Sequence, residues 1–278
     1  MSSNKLYDVI IVGASEEGLA FCDQLLQKTK NTKIAIISKH FNFQTTKQTL
    51  KGVDKFEDEA VFSYCKNRLL GIYMQKNDAV FGKTVIIATG TTPIKSNLKN
   101  INIKYDIKDI KASKTSPAVV YGDDENAAKY ALSLAKKFKY VYLGTKSLDL
   151  PFGTKLNKKI ENTLNILHLP NCSIISCKND KAGNLTEIQL DTYSTIKCNA
   201  LVMSLGRKPA NIGIDKRMIK VDSEGYIITK EFSETTEIPN IFAIGGCAKN
   251  GSKRKVTEAV NLIIKRLKLE KVEEEHDA

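Results

Sequence analysis

The sequence has no tryptophan, only three histidines and only six prolines in 278 residues. With so few histidines we expect no histidine-based metal site, and we assign no metal-binding residue. No two of its six cysteines have the C-x-x-C spacing of a redox dithiol or a zinc knuckle. We therefore expect reduced, buried thiols and no dithiol chemistry.

Long apolar runs and a leader-like start are also missing. No run approaches the ~20 apolar residues that span a bilayer. Residues 1–13 lead directly into a strand pattern, without a basic segment, an apolar stretch and a cleavage site. We therefore expect a soluble cytoplasmic protein without membrane contact. Its length, with 42% hydrophobic residues, is enough for one large or two medium domains.

A net charge of +12 raises the question of nucleic-acid binding. Only five of the 43 basic residues are arginines: Arg68, Arg207, Arg217, Arg254 and Arg266. The planar arginine fork is the group preferred for base and phosphate recognition, and here it is scarce. The lysines are spread along the chain, and the densest basic group, Lys249 with residues 253–255, precedes an acidic run at 273–275. We expect a solvated basic surface rather than a nucleic-acid site.

Two segments carry the strand, glycine turn and helix pattern of a βαβ unit. In the first, an apolar run at residues 7–12 leads into a turn with Gly13 and Gly18, a helical pattern and a second apolar run at 33–38. The same pattern recurs over residues 118–144. Short apolar runs of this kind are typical of parallel strands covered on both faces. The sequence therefore predicts an α/β protein with two nucleotide-type domains.

Three further segments follow in a fixed order: I-I-A-T-G-x-x-P at 86–93, L-G-R-x-P at 205–209 and I-P-N-I-F-A-I-G-G at 238–246. Together with the two glycine turns, this order resembles the low-molecular-weight thioredoxin reductases. It is also similar to their relatives, the thioredoxin-reductase-type ferredoxin–NADP reductases. The resemblance extends over residues 7–267.

The resemblance implies two Rossmann-like, three-layer domains of the pyridine nucleotide-disulfide oxidoreductase type. It implies a discontinuous FAD-binding domain, residues 1–110 plus 226–278, interrupted by an NAD(P)-binding domain, residues 111–225. It also implies a flavoprotein oxidoreductase, a redox protein partner and a homodimer.

The resemblance further implies a set of cofactor-binding positions in the first domain. They are the first glycine turn (Gly13, Ser15, Gly18), the ribose end (Ser38, Lys39), the middle turn (Thr89, Gly90) and the late turn (Gly245, Gly246, Cys247). Cys247 would be a thiol near the flavin, but we favour a buried core residue at a helix start. No catalytic residue is assigned.

Several positions of the first domain depart from the family pattern. Ser15 replaces the middle glycine of G-x-G-x-x-G, which lets the backbone approach a diphosphate. Glu16 and Glu17 place two carboxylates in the first helical turn, where they oppose a bound diphosphate unless they point outward. Gly246 stands where the family has an aspartate that holds the flavin's ribityl chain. We therefore expect FAD to bind weakly.

Other family features are shortened or missing. The flavin-clasping segment after Lys39 is reduced to Phe-Asn-Phe-Gln at 41–44, and Lys255 follows Arg254 where the family has Arg-Gln. Residues 105–112, where the family's redox disulfide lies, contain no cysteine. We therefore expect no thioredoxin-reductase activity.

The second glycine turn departs further. Asp123, Asp124 and Glu125 stand where the family has additional glycines, and residues 144–146, Gly-Thr-Lys, lack the paired arginines that bind the 2′-phosphate of NADPH. Acids at a phosphate site repel the ligand at close range. We expect this turn not to hold NADPH.

These observations leave two functions open, with a nucleic-acid-binding derivative of the fold as a weaker third. One is a flavin-dependent oxidoreductase that passes electrons without an internal disulfide. The other is a noncatalytic pseudo-enzyme that acts as a binding, sensing or assembly protein. The shortened stretch after Lys39 removes surface that could belong to the homodimer contact.

Overall fold

A computed structural model describes residues 5–41, 50–66, 69–98, 102–108, 110–193, 195–210, 219–230, 234, 238–249 and 253–276. The chain forms two compact units. Unit 1 comprises Met1–Thr92 and Lys208–Ala278, and unit 2 comprises Pro93–Arg207.

In chain order the first elements are β1 (Leu6–Val12), α1 (Glu16–Lys28), β2 (Ile34–Ser38), β3 (Asp54–Glu57), β4 (Ala60–Lys66), β5 (Leu69–Met74), β6 (Val80–Ile87) and β7 (Thr91–Pro93). Then follow β8 (Ile103–Lys104), β9 (Ala118–Tyr121), α2 (Glu125–Ala135), β10 (Val141–Gly144), α3 (Thr154–Glu161), β11 (Ile166–Leu169), β12 (Ile174–Asn179), β13 (Leu185–Leu190), β14 (Ile196–Lys197) and β15 (Ala200–Met203). The last are β16 (Arg207–Pro209), β17 (Ile241–Ala243), a 3₁₀ turn (Gly245–Cys247) and α4 (Lys253–His276). Among the described residues, no helix is both long and apolar enough to cross a membrane.

Unit 1 is built on a seven-stranded sheet in the order β3-β2-β1-β6-β5-β4, with β17 also paired to β6. β1, β2, β3, β6 and β17 are parallel, whereas β4 and β5 are antiparallel to their neighbours. Val9 and Ile11 of β1 share a core with α1 and α4, and Ile10 and Val12 belong to a second core. The prediction of a strand buried on both faces is therefore confirmed.

Unit 2 is built on a five-stranded parallel sheet in the order β11-β10-β9-β15-β8. Val120 and Val202 share a core with α2 and α3, whereas Val119 and Leu201 share a core with a small antiparallel sheet, β12-β13-β14. Sheets and helices thus stack in three layers, and the predicted α/β, Rossmann-like fold class is confirmed.

The unit boundaries lie after residues 92 and 207, each 18 residues before the predicted boundaries after 110 and 225. The predicted boundaries fall in the lysine-rich stretches 104–116 and 213–225, which have few apolar residues, but apolar side chains anchor both stretches. β8 pairs with β15, and Ile110 packs in the unit 2 core. Ile219 packs in the unit 1 core. The FAD and NAD(P) roles of the two units stay predictions.

Candidate functional site

The first glycine turn of unit 1 leaves no room for side chains at two positions. Gly13 follows β1 with φ +105°, and a Cβ there would lie 2.5 Å from the carbonyl oxygen of Ala88. A Cβ at Gly18 would lie 2.6 Å from the carbonyl oxygen of Gly13, so α1 packs directly against the end of the strand. The turn itself therefore requires both glycines, whatever it binds.

Ser15, at the middle-glycine position, is the N-cap of α1. Its backbone is extended, and its Oγ accepts a hydrogen bond from the Gly18 N–H at 3.1 Å. A capping hydroxyl satisfies one of the free N–H groups at a helix start without adding charge. The positive end of the α1 dipole therefore remains available to an anion.

The two glutamates that follow Ser15 differ in their surroundings. Glu16 is exposed, whereas Glu17 is half-buried. The carboxyl group of Glu17 lies 2.9 Å from the position that a Cβ on Gly245 would occupy. The condition that these carboxylates point outward therefore holds for Glu16 but not for Glu17. Glu17 places a negative charge beside the 3₁₀ turn.

The turn after β6 carries Thr89 and Gly90. Above Gly90 there is open space, because the nearest atom to a Cβ there would be Ser15 Cβ at 3.9 Å. Thr89 Oγ1 is buried, and within the described part of the chain only the thiol of Cys247 interacts with it. A thiol is a weak hydrogen-bond partner, so a ligand that offers the hydroxyl a stronger one gains affinity here.

The late turn follows β17. Gly246 is exposed, and a Cβ there would lie 3.0 Å from Thr91 Cγ2. An aspartate at 246 would therefore need only a small shift of Thr91, and its carboxylate would not be buried. Phe41 does not fill this region, because it belongs to the unit 1 core that contains Val9 and Phe21. Phe43 and the side chains of residues 254–255 lie outside the described residues.

Cys247 is 1% exposed and belongs to the unit 1 core. Its Sγ lies 3.3 Å from the carbonyl oxygen of Ile87 and 3.2 Å from that of Ile244, so its single S–H is shared between two acceptors. Burial raises the pKa of this thiol. The interpretation of Cys247 as a core residue is confirmed.

A cleft of about 450 Å³ follows the carboxyl ends of the parallel strands of unit 1. Ligands bind at this edge in open α/β sheets. Four of the predicted positions line it together: Gly13, Ser38, Lys39 and Thr89. The other six are not among its lining residues: Ser15, Gly18, Gly90, Gly245, Gly246 and Cys247.

The predicted ribose end contains an acid that sequence reasoning missed. Ser38 Oγ donates to the carbonyl oxygen of His40 at 2.9 Å, and Lys39 Nζ lies 2.6 Å from Glu59 Oε1. Lys39 is therefore paired rather than simply solvated. Glu59 follows β3, a short polar strand without an apolar run to reveal it. Glu59 could be found from the sequence only by reasoning that a third parallel strand ends at the same edge of the sheet, so that the residues after it reach the cleft.

Asp58, beside Glu59, is 3% exposed. Its carboxylate accepts hydrogen bonds from the backbone N–H groups of Glu59, Lys76 and Asn77 and from the Asn77 side chain, at 2.7–3.2 Å. Burial by itself raises the pKa of Asp58, but these hydrogen bonds outweigh it and lower the pKa to about 2. Asp58 therefore fixes the wall of the cleft.

The second glycine turn, in unit 2, has a similar backbone and different chemistry. A Cβ at Gly122 would overlap the carbonyl oxygen of Ser204. Asp124 is the N-cap of α2, and its Oδ1 accepts from the Ala127 N–H at 2.9 Å and from Ser204 Oγ at 2.6 Å. Asp123 Oδ1 accepts from the Lys146 N–H at 3.0 Å. Two acids of this turn therefore bind the chain's own donors.

The opening beside this second turn is about 440 Å³ and is lined by Asp123, Asp124 and Lys146, among others. The third acid, Glu125, forms an exposed pair with Lys129 at 3.0 Å. The opening thus has two carboxylates in its lining against one lysine. Nearby, Thr145 Oγ1 lies 2.8 Å from His168 Nε2, and burial lowers the pKa of His168.

The described cysteines are free thiols. Cys172 precedes β12, and Cys177 lies within it. Burial raises the pKa of Cys22 and Cys198 to about 12. Within the described residues, no three His, Cys, Asp or Glu side chains come together as a metal site requires.

The sequence model of one protein family, pyridine nucleotide-disulphide oxidoreductase, matches residues 7–262. This span contains both glycine turns and the late turn. The chain belongs to this family. As a pyridine nucleotide-disulphide oxidoreductase family member it is thioredoxin-reductase-like, as its relatives show.

Thioredoxin reductases are its relatives in sequence. The one from Mycoplasma pneumoniae is 24% identical over 291 residues, covering 92% of this chain and 91% of the relative. The one from Chlamydia pneumoniae is 24% identical over 149 residues, covering 52% of this chain and 48% of the relative. The chain spans about half the length of the first curated relatives that it matches.

Solved structures agree on the fold. Thioredoxin reductase from Lactococcus lactis superimposes with a TM-score of 0.81 at 16% identity, covering 93% of this chain and 98% of that one. The enzyme from T. acidophilum gives a TM-score of 0.77 at 17% identity, covering 93% and 97%. At these identities the likeness shows that this family member has the thioredoxin-reductase fold.

Proposed function

We propose that the protein is a flavin-dependent oxidoreductase that binds FAD weakly in unit 1 and does not reduce disulfides with NADPH. The observation that carries the proposal is the uncharged cap of the glycine turn in unit 1. Ser15 caps α1 without charge, and the buried Thr89 Oγ1 has only the weakly bonding thiol of Cys247 beside it. These features suit a ligand with a diphosphate.

The unit 1 residues fit FAD with one opposing charge. Gly13, Ser15 and Thr89 would hold the diphosphate, and Ser38 and Lys39 would lie at the ribose. FAD, when bound, supplies two-electron redox chemistry, whereas this chain's residues bind and orient it. The Glu17 carboxylate, which lies against Gly245, weakens the affinity because it repels a phosphate.

We infer that unit 2 does not hold NADPH. Asp124 already caps α2, and Asp123 already accepts the Lys146 N–H, so a phosphate would have to displace or approach two carboxylates. Without a hydride donor in unit 2, electrons would reach the flavin from a redox protein partner. A homodimer stays the expectation from the resemblance.

The test is an anaerobic titration of protein loaded with FAD, followed by its visible flavin absorbance. Dithionite should reduce the flavin, and NADPH should leave it oxidised. Rapid reduction by NADPH would contradict the proposal. Calorimetry with FAD, FMN, NADH and NADPH completes the test, and tight NADPH binding without FAD binding would reverse the order of the two sites.

Disulfide reduction should also stay at background with thioredoxin as substrate and any donor. The described cysteines are free, and burial raises the pKa of all five of these thiols, so little of the attacking thiolate form is present at neutral pH. Turnover that disappeared only in the double variant Cys172→Ser, Cys177→Ser would reveal a rearranged dithiol.

A noncatalytic binding protein is the second candidate. Glu17 beside Gly245, and the absence of a carboxylate at Gly246, both favour loss of the flavin. The flavin content of purified protein separates the candidates. Protein that stays colourless at high FAD concentration would support the noncatalytic function.

A further inference from the structure

Two side chains of opposite charge meet at the end of the unit 1 cleft formed by β2 and β3. Lys39 Nζ and Glu59 Oε1 are 2.6 Å apart, and both residues line the cleft. Their side chains are 59% and 37% exposed, so the pair remains accessible to a ligand.

The backbone under this pair is rigidly held. The Asp58 N–H donates to the carbonyl oxygen of Ser38 at 3.0 Å, which joins the ends of β2 and β3. The Glu59 N–H donates to Asp58 Oδ1 at 2.7 Å, and Lys76 and Asn77 hold the same carboxylate. Glu59 therefore projects from a fixed position.

Of the two acids described in the cleft, Glu59 has the greater remaining capacity to accept hydrogen bonds. In many nucleotide-binding α/β folds an acid near the end of the second strand accepts hydrogen bonds from the ribose hydroxyls. Here that position is Ser38, whose hydroxyl already donates to His40. Two acids line the cleft among the described residues. Asp58 accepts hydrogen bonds from four donor groups, whereas the partner described for the Glu59 carboxylate is Lys39.

We propose that Glu59, positioned by Lys39, accepts hydrogen bonds from the ribose hydroxyls of an adenine nucleotide and excludes nucleotides with a 2′-phosphate. A carboxylate accepts from hydroxyls and repels a phosphate. The charge of Lys39 is already neutralised by Glu59, so it does not favour a 2′-phosphate. This inference rests on the proposed function in placing the nucleotide in unit 1, and it deepens that function by naming the selectivity.

The experiment is calorimetry on the full chain with ADP and with its 2′-phosphorylated analogue. The unaltered protein should bind ADP at least about tenfold more tightly than the analogue. Glu59→Gln should lose about tenfold in ADP affinity and most of the preference. Lys39→Met should weaken ADP severalfold and keep the preference. Glu57→Gln, an exposed acid of β3 outside the cleft, is the matched control and should behave as the unaltered protein.

Melting curves of all four proteins establish that each is folded. Equal binding of the two nucleotides, no binding of either, or an unchanged preference in Glu59→Gln would each overturn the inference. Selective ADP binding that depends on Glu59, in a protein that never binds FAD, would contradict the proposed function and support this inference. If the protein binds FAD, and Glu59→Gln leaves the ADP affinity and the preference unchanged, the proposed function is supported and this inference is contradicted.

Discussion

The starts of α1 and α2 share a backbone design and differ in charge. Each helix follows a glycine with positive φ, Gly13 or Gly122, and at each a side chain caps the N–H three residues ahead. The cap is the neutral hydroxyl of Ser15 in unit 1 and the carboxylate of Asp124 in unit 2. The glycines thus reflect the requirements of the turn, whereas the cap determines which ligands the turn tolerates.

The charge of the capping group affects the binding of an anion more strongly than the helix dipole does. A helix N-terminus stabilises a nearby anion by about 0.3–1 kcal/mol. Two like charges about 4 Å apart repel by roughly 4 kcal/mol at an effective dielectric constant of about 20. A carboxylate at the cap therefore outweighs the attraction of the helix end for a phosphate.

The most direct way to break the comparison is Ser15→Asp, which gives α1 the cap of α2. FAD affinity should fall by about a hundredfold or more, since repulsion of roughly 3–4 kcal/mol replaces a neutral contact. Titration followed by quenching of flavin fluorescence measures the change. Ser15→Asn keeps a good cap without charge and should bind nearly normally. If Ser15→Asp bound FAD as the unaltered protein does, cap charge would not govern the site.

Gly246→Asp sharpens the comparison by adding a carboxylate where the ribityl chain is expected. A charge-assisted hydrogen bond should raise FAD affinity roughly ten- to a hundredfold. The same titration applies. Gly246→Ala is the control, because it introduces only the Cβ that approaches Thr91 Cγ2 at 3.0 Å. An aspartate variant no better than the alanine variant would argue against a retained ribityl site.

Glu17→Gln should raise FAD affinity by a smaller factor, about two- to fivefold, because it removes a carboxylate whose repulsion of a phosphate is weakened by distance and solvent. Glu16→Gln changes the exposed neighbour and should have less effect. Calorimetry on both variants gives the comparison. Equal gains would show that the distance of a carboxylate from Gly245 is irrelevant.

The smallest expected effect is on the stability of the folded protein, and it appears only at acid pH, where Asp58 in the cleft wall becomes protonated. The pKa of Asp58 is lowered to about 2 in the folded protein, below its unfolded value of about 3.9. Its stabilisation is therefore fully present above about pH 4 and is lost as the pH falls toward 2. Melting temperatures from neutral pH downward should show this loss. Asp58→Asn should start from a lower melting temperature and show a flatter acid limb.

How far the sequence predicts the fold depends on burial. Residues 7–12 and 118–121 are recognisable because strands covered on both faces are apolar throughout. β3 escapes prediction because Asp54–Glu57 alternates in exposure and carries three charges. The lysine-rich stretch 104–116 obscures the connection to unit 2, which is made by the short strand β8 and by Ile110.

The candidate site shows the same limit. The glycine positions follow from steric needs that spacing reveals, as at Gly13 and Gly18. Whether Ser15 caps its own helix, whether Asp123 accepts the Lys146 N–H, and whether Glu59 reaches Lys39 depend on contacts between distant segments. Such contacts leave no periodic trace in one sequence.

The buried thiol of Cys247 makes the dynamics of this region measurable. Its sulfur lies between the carbonyl groups of Ile87 and Ile244, so a thiol reagent reaches it only when the late turn separates from the end of β6. The labelling rate then reports the free energy of that local opening, without unfolding the whole chain. A ligand that contacts both segments slows the labelling of Cys247 in proportion to its occupancy. The labelling rate at increasing ligand concentration therefore gives the affinity of the protein for that ligand.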